Sequence, residues 1–200
     1  MERMQQDAME NDQSPYQSTP ADKLMMTVED FHPQVRILTN LNNECPQIKN
    51  HSAIIYKRCI YLFGGYDGKK NHNTLHVYNI DKNEWSHPTT MGEDPPGRNG
   101  HTASLVDNKM YIIGGWLGSG PFAASDMYIL DLDQLIWEHP VTRGTSPGPC
   151  NMHSTDLIGR KLYLFRGGDG RDYLNDLHSF DIGMRFILLL RSFIDQCISL

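Results

Sequence analysis

Short apolar runs separated by polar turns recur along most of the chain. The run from His101 to Val106 is followed by the polar pair Asp107–Asn108 and by a second run from Lys109 to Ile113. A two-residue polar turn between two such runs predicts a β-hairpin. The segment from Asp126 to Asp131 then alternates in character, and a further turn leads into a fourth run around Trp137. The pattern predicts four short antiparallel strands.

This whole pattern repeats with a period of about 50 residues. The copies begin at His51, His101 and His153, which lie 50 and 52 residues apart. Residues 51–80 and 153–182 align without a gap and share 13 identities in 30 positions, which indicates a true duplication. Repeats of this length are typical of solenoids and propellers, and four strands per repeat describe a propeller blade. The predicted fold class is all-β, a partial β-propeller of about three four-stranded antiparallel blades.

The copies share landmark residues in a fixed order: an initial His, a strand ending in Gly-Gly, an Asn-Asp-Leu-like strand and a Trp. They are Tyr61–Gly65 and Trp85 in copy one, Tyr111–Gly115 and Trp137 in copy two, and Tyr163–Phe165, Gly167 and Asn175–Leu177 in copy three. This pattern resembles the kelch repeat over residues 51–182. The resemblance implies a kelch-type propeller in which the glycines and tryptophans pack between blades and are not functional sites.

Copy three departs from the kelch pattern. Arg166 stands where copy one has Gly64, so a charged side chain is predicted to disturb the packing at a crowded point. Ile187 stands where the other copies have Trp, and the match ends after Ile182. The third blade is therefore predicted to be incomplete. Three blades are also fewer than the four to eight that typically close a propeller.

The sequence divides into three parts. Residues 1–34 are polar and predicted to be disordered, residues 35–182 hold the blades (about 51–97, 98–149 and 150–182), and residues 183–200 form an apolar tail with a helical period. The run Val35–Leu38 is predicted to be a strand, either the last strand of a missing blade or an ordinary short strand. The tail is interpreted as a helix covering the edge of blade three, as the non-native end of a truncated kelch protein, or as both.

Charge and composition exclude several classes of function. The net charge of −6 and the pI of about 5.8 argue against a general nucleic-acid binder. No apolar run of membrane-spanning length and no signal peptide occurs, so we expect a cytoplasmic or nuclear protein. The four cysteines lack metal-ligand spacing, and the three initial histidines occupy one repeated scaffold position. We therefore expect free thiols, no metal and no cofactor.

The candidate site is a protein-binding surface made by two sets of loops. The loops after each second strand and before each next first strand are expected to leave the same end of the blades, opposite the short turns. Aromatic and arginine side chains are the usual anchors of protein interfaces. The predicted partner-binding residues are Tyr66, Asp67, Lys69, Arg98, Asn99, Trp116, Leu117, Arg143, Asp169, Arg171 and Tyr173. For Trp116 and Arg98 a purely structural role stays open.

The leading functional hypothesis is a protein–protein interaction module, serving as a scaffold or a substrate-recognition piece for a protein partner. We expect neither nucleic acid nor membrane as a partner, and no enzymatic activity. Many kelch proteins carry a BTB domain and serve as ubiquitin-ligase adaptors, but residues 1–45 are too short and polar to be that domain. A kelch-class enzyme or metal-dependent protein and a non-functional fragment of a larger kelch protein are the alternatives.

Overall fold

A computed structural model describes residues 45–190, which form three β-sheets and contain no helix within that range. Blade one contains β1 (Ser52–Tyr56), β2 (Cys59–Phe63), β3 (Leu75–Asn79) and β4 (Glu84–Ser86). Blade two contains β5 (Met91–Gly92), β6 (Thr102–Val106), β7 (Lys109–Ile113), β8 (Met127–Asp131) and β9 (Ile136–Glu138). Blade three contains β10 (Arg143–Gly144), β11 (Ser154–Ile158), β12 (Lys161–Phe165), β13 (Leu177–Asp181) and β14 (Phe186–Leu190). The predicted disordered segment, the Val35–Leu38 strand and residues 191–200 lie outside the described residues.

The three sheets repeat one antiparallel meander. In blade one the strand order is β1-β2-β3-β4, and blades two and three follow the same order. Each of these later blades gains a two-residue outer strand from the segment that precedes it, with β5 parallel to β9 and β10 parallel to β14. The second strands end at Phe63, Ile113 and Phe165, two residues before Gly65, Gly115 and Gly167. The predicted all-β architecture with short hairpin turns is confirmed.

Blade two is sandwiched between its neighbours. One of its faces joins blade one in a core that contains Phe63, Met110, Leu130 and Trp137, and the Trp137 ring lies 5.1 Å from that of Phe63. The opposite face joins blade three in a second core. Because successive strand residues point to opposite faces, the central strands β7 and β8 bury eight of their ten positions. This explains why they read as continuous apolar runs.

The third blade is complete, contrary to the sequence-based prediction. Ile187 pairs with Phe180 in the register in which Trp137 pairs with Leu130. The helical period of the apolar tail is also misleading over Phe186–Leu190, which forms β14. Pairing with the exposed edge of β13 satisfies the backbone groups of this segment, and that tertiary contact overrides the local periodicity.

Ile187 of blade three occupies the position that Trp137 has in blade two, and this smaller side chain leaves space between blades two and three. A cavity of about 280 Å³ lies there and is lined by Ile113, Ile187 and His178 among others. In the first seam, meaning the contact between blades one and two, the corresponding positions are filled by the rings of Phe63 and Trp137. The two isoleucines fill less volume than these rings, so the second seam is packed less densely.

Each seam repeats a contact between a hydroxyl and a histidine ring. Ser52 Oγ lies 2.6 Å from Nε2 of His101 in the next blade, and Thr102 Oγ1 lies 3.0 Å from Nε2 of His153. Both histidines are buried, and burial lowers the pKa of His101 to about 3 and that of His153 to about 4. The initial histidine of a repeat is therefore a neutral scaffold residue that ties its blade to the preceding one.

A backbone contact repeats at the same seams. The N–H of Gly100 donates to the carbonyl of Asn50 at 2.8 Å, and the N–H of Met152 donates to the carbonyl of Gly100 at 2.8 Å. The three residues occupy equivalent positions in the repeat, and all have positive φ. The polar contacts between blades thus follow the same 50-residue period as the strands.

Candidate functional site

The loops after β2, β7 and β12 leave the same end of the three blades, because these strands run in the same direction. We call this end the loop face. Between blades one and two it carries an open groove of about 820 Å³. Its walls include five of the residues predicted to bind a partner: Tyr66, Lys69, Asn99, Trp116 and Leu117. The structure therefore brings together residues from three separate loops.

A network of asparagine side chains holds the groove together. The Asn71 Nδ2 group donates to the carbonyl oxygen of Trp116 at 2.9 Å, and Asn99 Nδ2 donates to Asn71 Oδ1 at 2.8 Å. The backbones of Asn99 and Trp116 also exchange two hydrogen bonds. Sequence reasoning missed Asn71 as a site residue. Its position in a polar loop is visible in the sequence, but its partner 45 residues away is not.

The groove is electropositive. Its lining contains Lys49, Lys69 and Lys70 and no carboxylate, although the whole chain carries a net charge of −6. Tyr66 adds an aromatic surface, with its hydroxyl donating to the Gly68 carbonyl and the Lys49 ammonium 5.7 Å from its ring centre. The charge of this lining is complementary to negative charge.

Two aspartates in the predicted set shape the loops. Asp67 Oδ1 accepts hydrogen bonds from the backbone N–H groups of Lys70 (2.8 Å) and Lys69 (2.7 Å), and Oδ2 lies 2.8 Å from the ring of His72. These hydrogen bonds lower the pKa of Asp67 well below its usual range, and the bond from the Lys70 N–H has the largest effect. The Asp169 carboxylate has the same arrangement in blade three, where backbone hydrogen bonds also lower its pKa. Both carboxylates therefore close turns.

Trp116 lines the groove and also packs against a neighbouring loop, which is the structural role that the sequence left open. Its side chain is half-buried and lines the groove. Its ring also packs against the loop of blade three, because a Cβ placed on Gly170 would lie 3.0 Å from Trp116 Cζ3. A glycine at this point lets the indole approach the backbone of the next loop closely.

A second exposed patch lies where the loops of blades two and three meet. The guanidinium of Arg171 lies 4.4 Å from the centre of the Phe122 ring. Tyr173 is 98% exposed and Phe122 is 40% exposed. The Ala123 N–H donates to the Asp169 carbonyl at 2.7 Å and fixes the two loops together. These residues extend the loop face beyond the groove.

Arg98 is not a partner-binding residue, and that prediction was wrong. It is fully buried (0% exposed). Its guanidinium donates to both carboxylate oxygens of Asp126, at 2.6 and 3.1 Å, and to the Gly114 carbonyl at 2.8 Å. Every one of these partners is in blade two, so Arg98 anchors the connecting segment to that blade.

Arg166 performs the same task in blade three from a different position. Cys150 stands where the second repeat has Arg98, and Arg166 stands where it has Gly114. The Arg166 guanidinium donates to Asp176 at 2.6 Å and to the Pro149 carbonyl at 3.1 Å, and Asp176 is the counterpart of Asp126. The Arg166 side chain thus takes the place of the arginine missing at position 150, although its Nε–H is buried without a hydrogen-bond partner among the described residues.

Arg143 lies at the opposite end of the blade from the loop face, which contradicts its prediction. It opens β10, and its backbone N–H donates to the carbonyl of Arg185 in the turn between β13 and β14. The connecting segment first descends to the short-turn end and then returns as the parallel strand β10. The prediction assumed that the segment stays at one end.

Within residues 45–190, no group of three or more His, Cys, Asp or Glu side chains is arranged to hold a metal ion. Cys45, Cys59 and Cys150 are free thiols, and burial raises the pKa of Cys150 to about 12. In the same described part of the chain, no helix is long and apolar enough to cross a membrane.

The fold and the groove define a β-propeller-type repeat protein with a polar loop surface. The sequence profile of the KLHDC2/KLHL20/DRC7 Kelch-repeats domain matches residues 32–186, and the chain belongs to the kelch-repeat family.

Similar proteins include human Host cell factor 2, which is 34% identical over 142 residues, covering 62% of this chain and 17% of that protein. Rat Rab9 effector protein with kelch motifs is 36% identical over 120 residues, covering 59% of this chain and 32% of that protein. Bovine Kelch domain-containing protein 3 is 28% identical over 118 residues, covering 58% of this chain and 31% of that protein. The matched region thus spans no more than about a third of each of these relatives.

Proposed function

We propose that this chain is a protein-interaction module whose loop face binds an acidic segment of a partner protein. The observation that supports the proposal best is the groove with three lysines, two aromatic rings and no carboxylate in its lining. Lysine ammonium groups favour aspartate and glutamate side chains or a carboxyl terminus, and the rings supply apolar contact area. The proposed site residues are Tyr66, Lys69, Lys70, Asn99, Trp116 and Leu117.

The comparisons agree with an interaction role. The name of Rab9 effector protein with kelch motifs links that relative to a second protein, Rab9. The asparagine network supports the proposal independently, because it holds the groove in one shape before a partner arrives. A preformed site loses less conformational entropy on binding than a mobile one.

Selection from random peptides displayed on phage tests the proposal. We expect the enriched peptides to carry Asp or Glu beside apolar residues, and their binding to weaken as salt is raised. The double change Lys69→Glu and Lys70→Glu should abolish binding, while Trp116→Ala should weaken it. The double change Lys57→Glu and Lys82→Glu is the matched control, since it reverses the charge of two lysines in the β1–β2 and β3–β4 turns at the opposite end.

Two outcomes would overturn the proposal. One is the enrichment of basic or uncharged peptides instead of acidic ones. The other is equal binding of the enriched peptides by the wild-type chain and the variant with both Lys69→Glu and Lys70→Glu.

A further inference from the structure

We propose that the cavity between blades two and three binds a small, uncharged aromatic molecule of about the size of indole. The cavity has a volume of about 280 Å³ and shares no lining residue with the loop-face groove. It is also more enclosed than that groove, which favours a small molecule over a peptide segment. This second site lies within a seam of the described blades and is independent of the proposed function.

Three aromatic rings that fill the first seam have smaller counterparts in the second seam. The rings of the first seam belong to Phe63, Tyr128 and Trp137. The strand registers place at the equivalent positions of the second seam Ile113, His178 and Ile187. All three counterparts line the cavity. Because aromatic rings occupy this place in the first seam, an aromatic ligand matches the space that is left in the second.

Apolar side chains form the interior of the cavity. They belong to buried residues of the second core, namely Ile113, Met127, Leu162, Leu164, Phe180 and Ile187. An apolar cavity of about 150 Å³ is large enough to bind benzene. The larger volume of this cavity therefore admits a bicyclic ring.

His178 supplies a polar group for a specific contact. It is 3% exposed and lines the cavity, and neither of its ring nitrogens has a hydrogen-bond partner among the described residues. A half-turn of the imidazole about its Cβ–Cγ bond exchanges its carbon and nitrogen edges without changing its shape, so the ring can present a nitrogen to a ligand. A buried polar group without a partner costs free energy, and a ligand that forms the hydrogen bond removes this cost.

The imidazole of His178 is neutral near pH 7, because burial lowers its pKa below the ordinary value. A neutral imidazole has one nitrogen that donates and one that accepts. An N–H or O–H group on the aromatic ring of the ligand is therefore the matching partner for the accepting nitrogen.

The charges around the cavity favour an uncharged ligand. Among the described residues, its lining includes no lysine or arginine that could pair with an anion. Both carboxylate oxygens of Asp126, which also lines the cavity, accept hydrogen bonds from Arg98. Burying a charged group without a partner is costly, so neither an anion nor a cation fits this interior well.

Isothermal titration calorimetry of the full chain with indole tests the inference. We expect saturable binding of one indole per chain. Indene has the same bicyclic shape but no N–H, so it should bind about three- to tenfold more weakly. Indole-3-acetate should bind far more weakly than indole, because its carboxylate finds no cationic partner in the cavity.

Two variants assign the binding to the cavity. Ile187→Trp restores the ring of the first seam and should abolish the binding of indole. Leu188→Trp is the matched control, since it adds the same ring at the next position of β14, where the side chain lies on the opposite face and is 50% exposed. It should leave the affinity for indole unchanged, and circular dichroism should show that both variants keep the sheet spectrum.

A third variant tests the polar contact. His178→Leu should bind indole and indene with the same affinity, because the accepting nitrogen is gone. A role of His178 in packing alone would change both affinities together and leave their ratio as it is in the wild type.

The absence of indole binding to the folded wild-type chain, up to the solubility limit of indole, would overturn the inference. Equal binding by the wild type and by folded Ile187→Trp would also overturn it, because the ligand would then lie elsewhere. Should Ile187→Trp not fold, the three ligands decide the matter on the wild type alone, and tighter binding of indene or indole-3-acetate than of indole would contradict the proposed site.

Discussion

Replacing Arg98 by Ala should strongly destabilise the protein, although the sequence suggested a surface role. The side chain is completely buried, and its guanidinium makes a bidentate pair with Asp126 and a hydrogen bond to the Gly114 carbonyl. Its remaining Nε–H donates to the Pro96 carbonyl at 3.2 Å. Arg98→Ala therefore removes the partner of a carboxylate and leaves a carbonyl oxygen of the second seam without its donor.

The expected loss of unfolding free energy is about 3–5 kcal/mol, the cost of breaking a buried pair by removing one partner. For a domain of this size about 1 kcal/mol corresponds to a shift of about 2–4 °C, so the thermal midpoint should fall by roughly 6–20 °C. Arg98→Lys should fall in between, because lysine keeps the charge but cannot form the bidentate contact.

Urea unfolding followed by circular dichroism measures this effect. Lys57→Ala is the matched control, since Lys57 pairs with Asp133 at 2.7 Å but both side chains are largely exposed. That exposed pair should contribute little to stability, because solvent and salt screen it. If Arg98→Ala were no more destabilising than Lys57→Ala, the buried anchoring role would be refuted.

Three further predictions concern the seams. Trp137→Ala should destabilise the chain by about 3–5 kcal/mol in urea unfolding, because the indole is 3% exposed and packs on Phe63; a loss under about 1 kcal/mol would contradict this. Ile187→Trp should raise stability by about 0.5–2 kcal/mol by filling the 280 Å³ cavity, and a lower thermal midpoint would show that the space cannot admit an indole. The pKa values of His101 (about 3) and His153 (about 4) are lowered by burial, so the unfolded chain binds more protons than the folded one. The contribution of the two neutral histidines to the unfolding free energy is complete above the unfolded pKa of about 6.5 and is lost as the pH falls towards about 4. Between these values the unfolding free energy changes by about 1.4 kcal/mol per pH unit for each histidine. Urea titrations of the wild type and of His153→Gln between these pH values should differ in slope, and equal slopes would exclude His153 as a contributor.

The sequence by itself determined the repeated architecture. The 50-residue period, the alternation of apolar runs with polar turns, and the landmark glycines and tryptophans all report local preferences. These are the hairpin turn, the two-faced strand and the bulky side chain between sheets. Such preferences act over a few neighbouring residues, so a linear pattern records them. The loop end of the blades and the clustering of Tyr66, Trp116 and Leu117 followed from the same repeat.

Only the tertiary structure decided which side chains are available to a partner. The buried position of Arg98 depends on Asp126, which is 28 residues away, and the role of Arg166 depends on the absence of an arginine at position 150. Arg143 reaches the other end because β10 pairs with β14, which is a contact between distant segments. Phe186–Leu190 forms a strand for a similar reason, since the free edge of β13 offers hydrogen bonds that a helical period does not anticipate. In each case a partner remote in sequence supplies the deciding free energy.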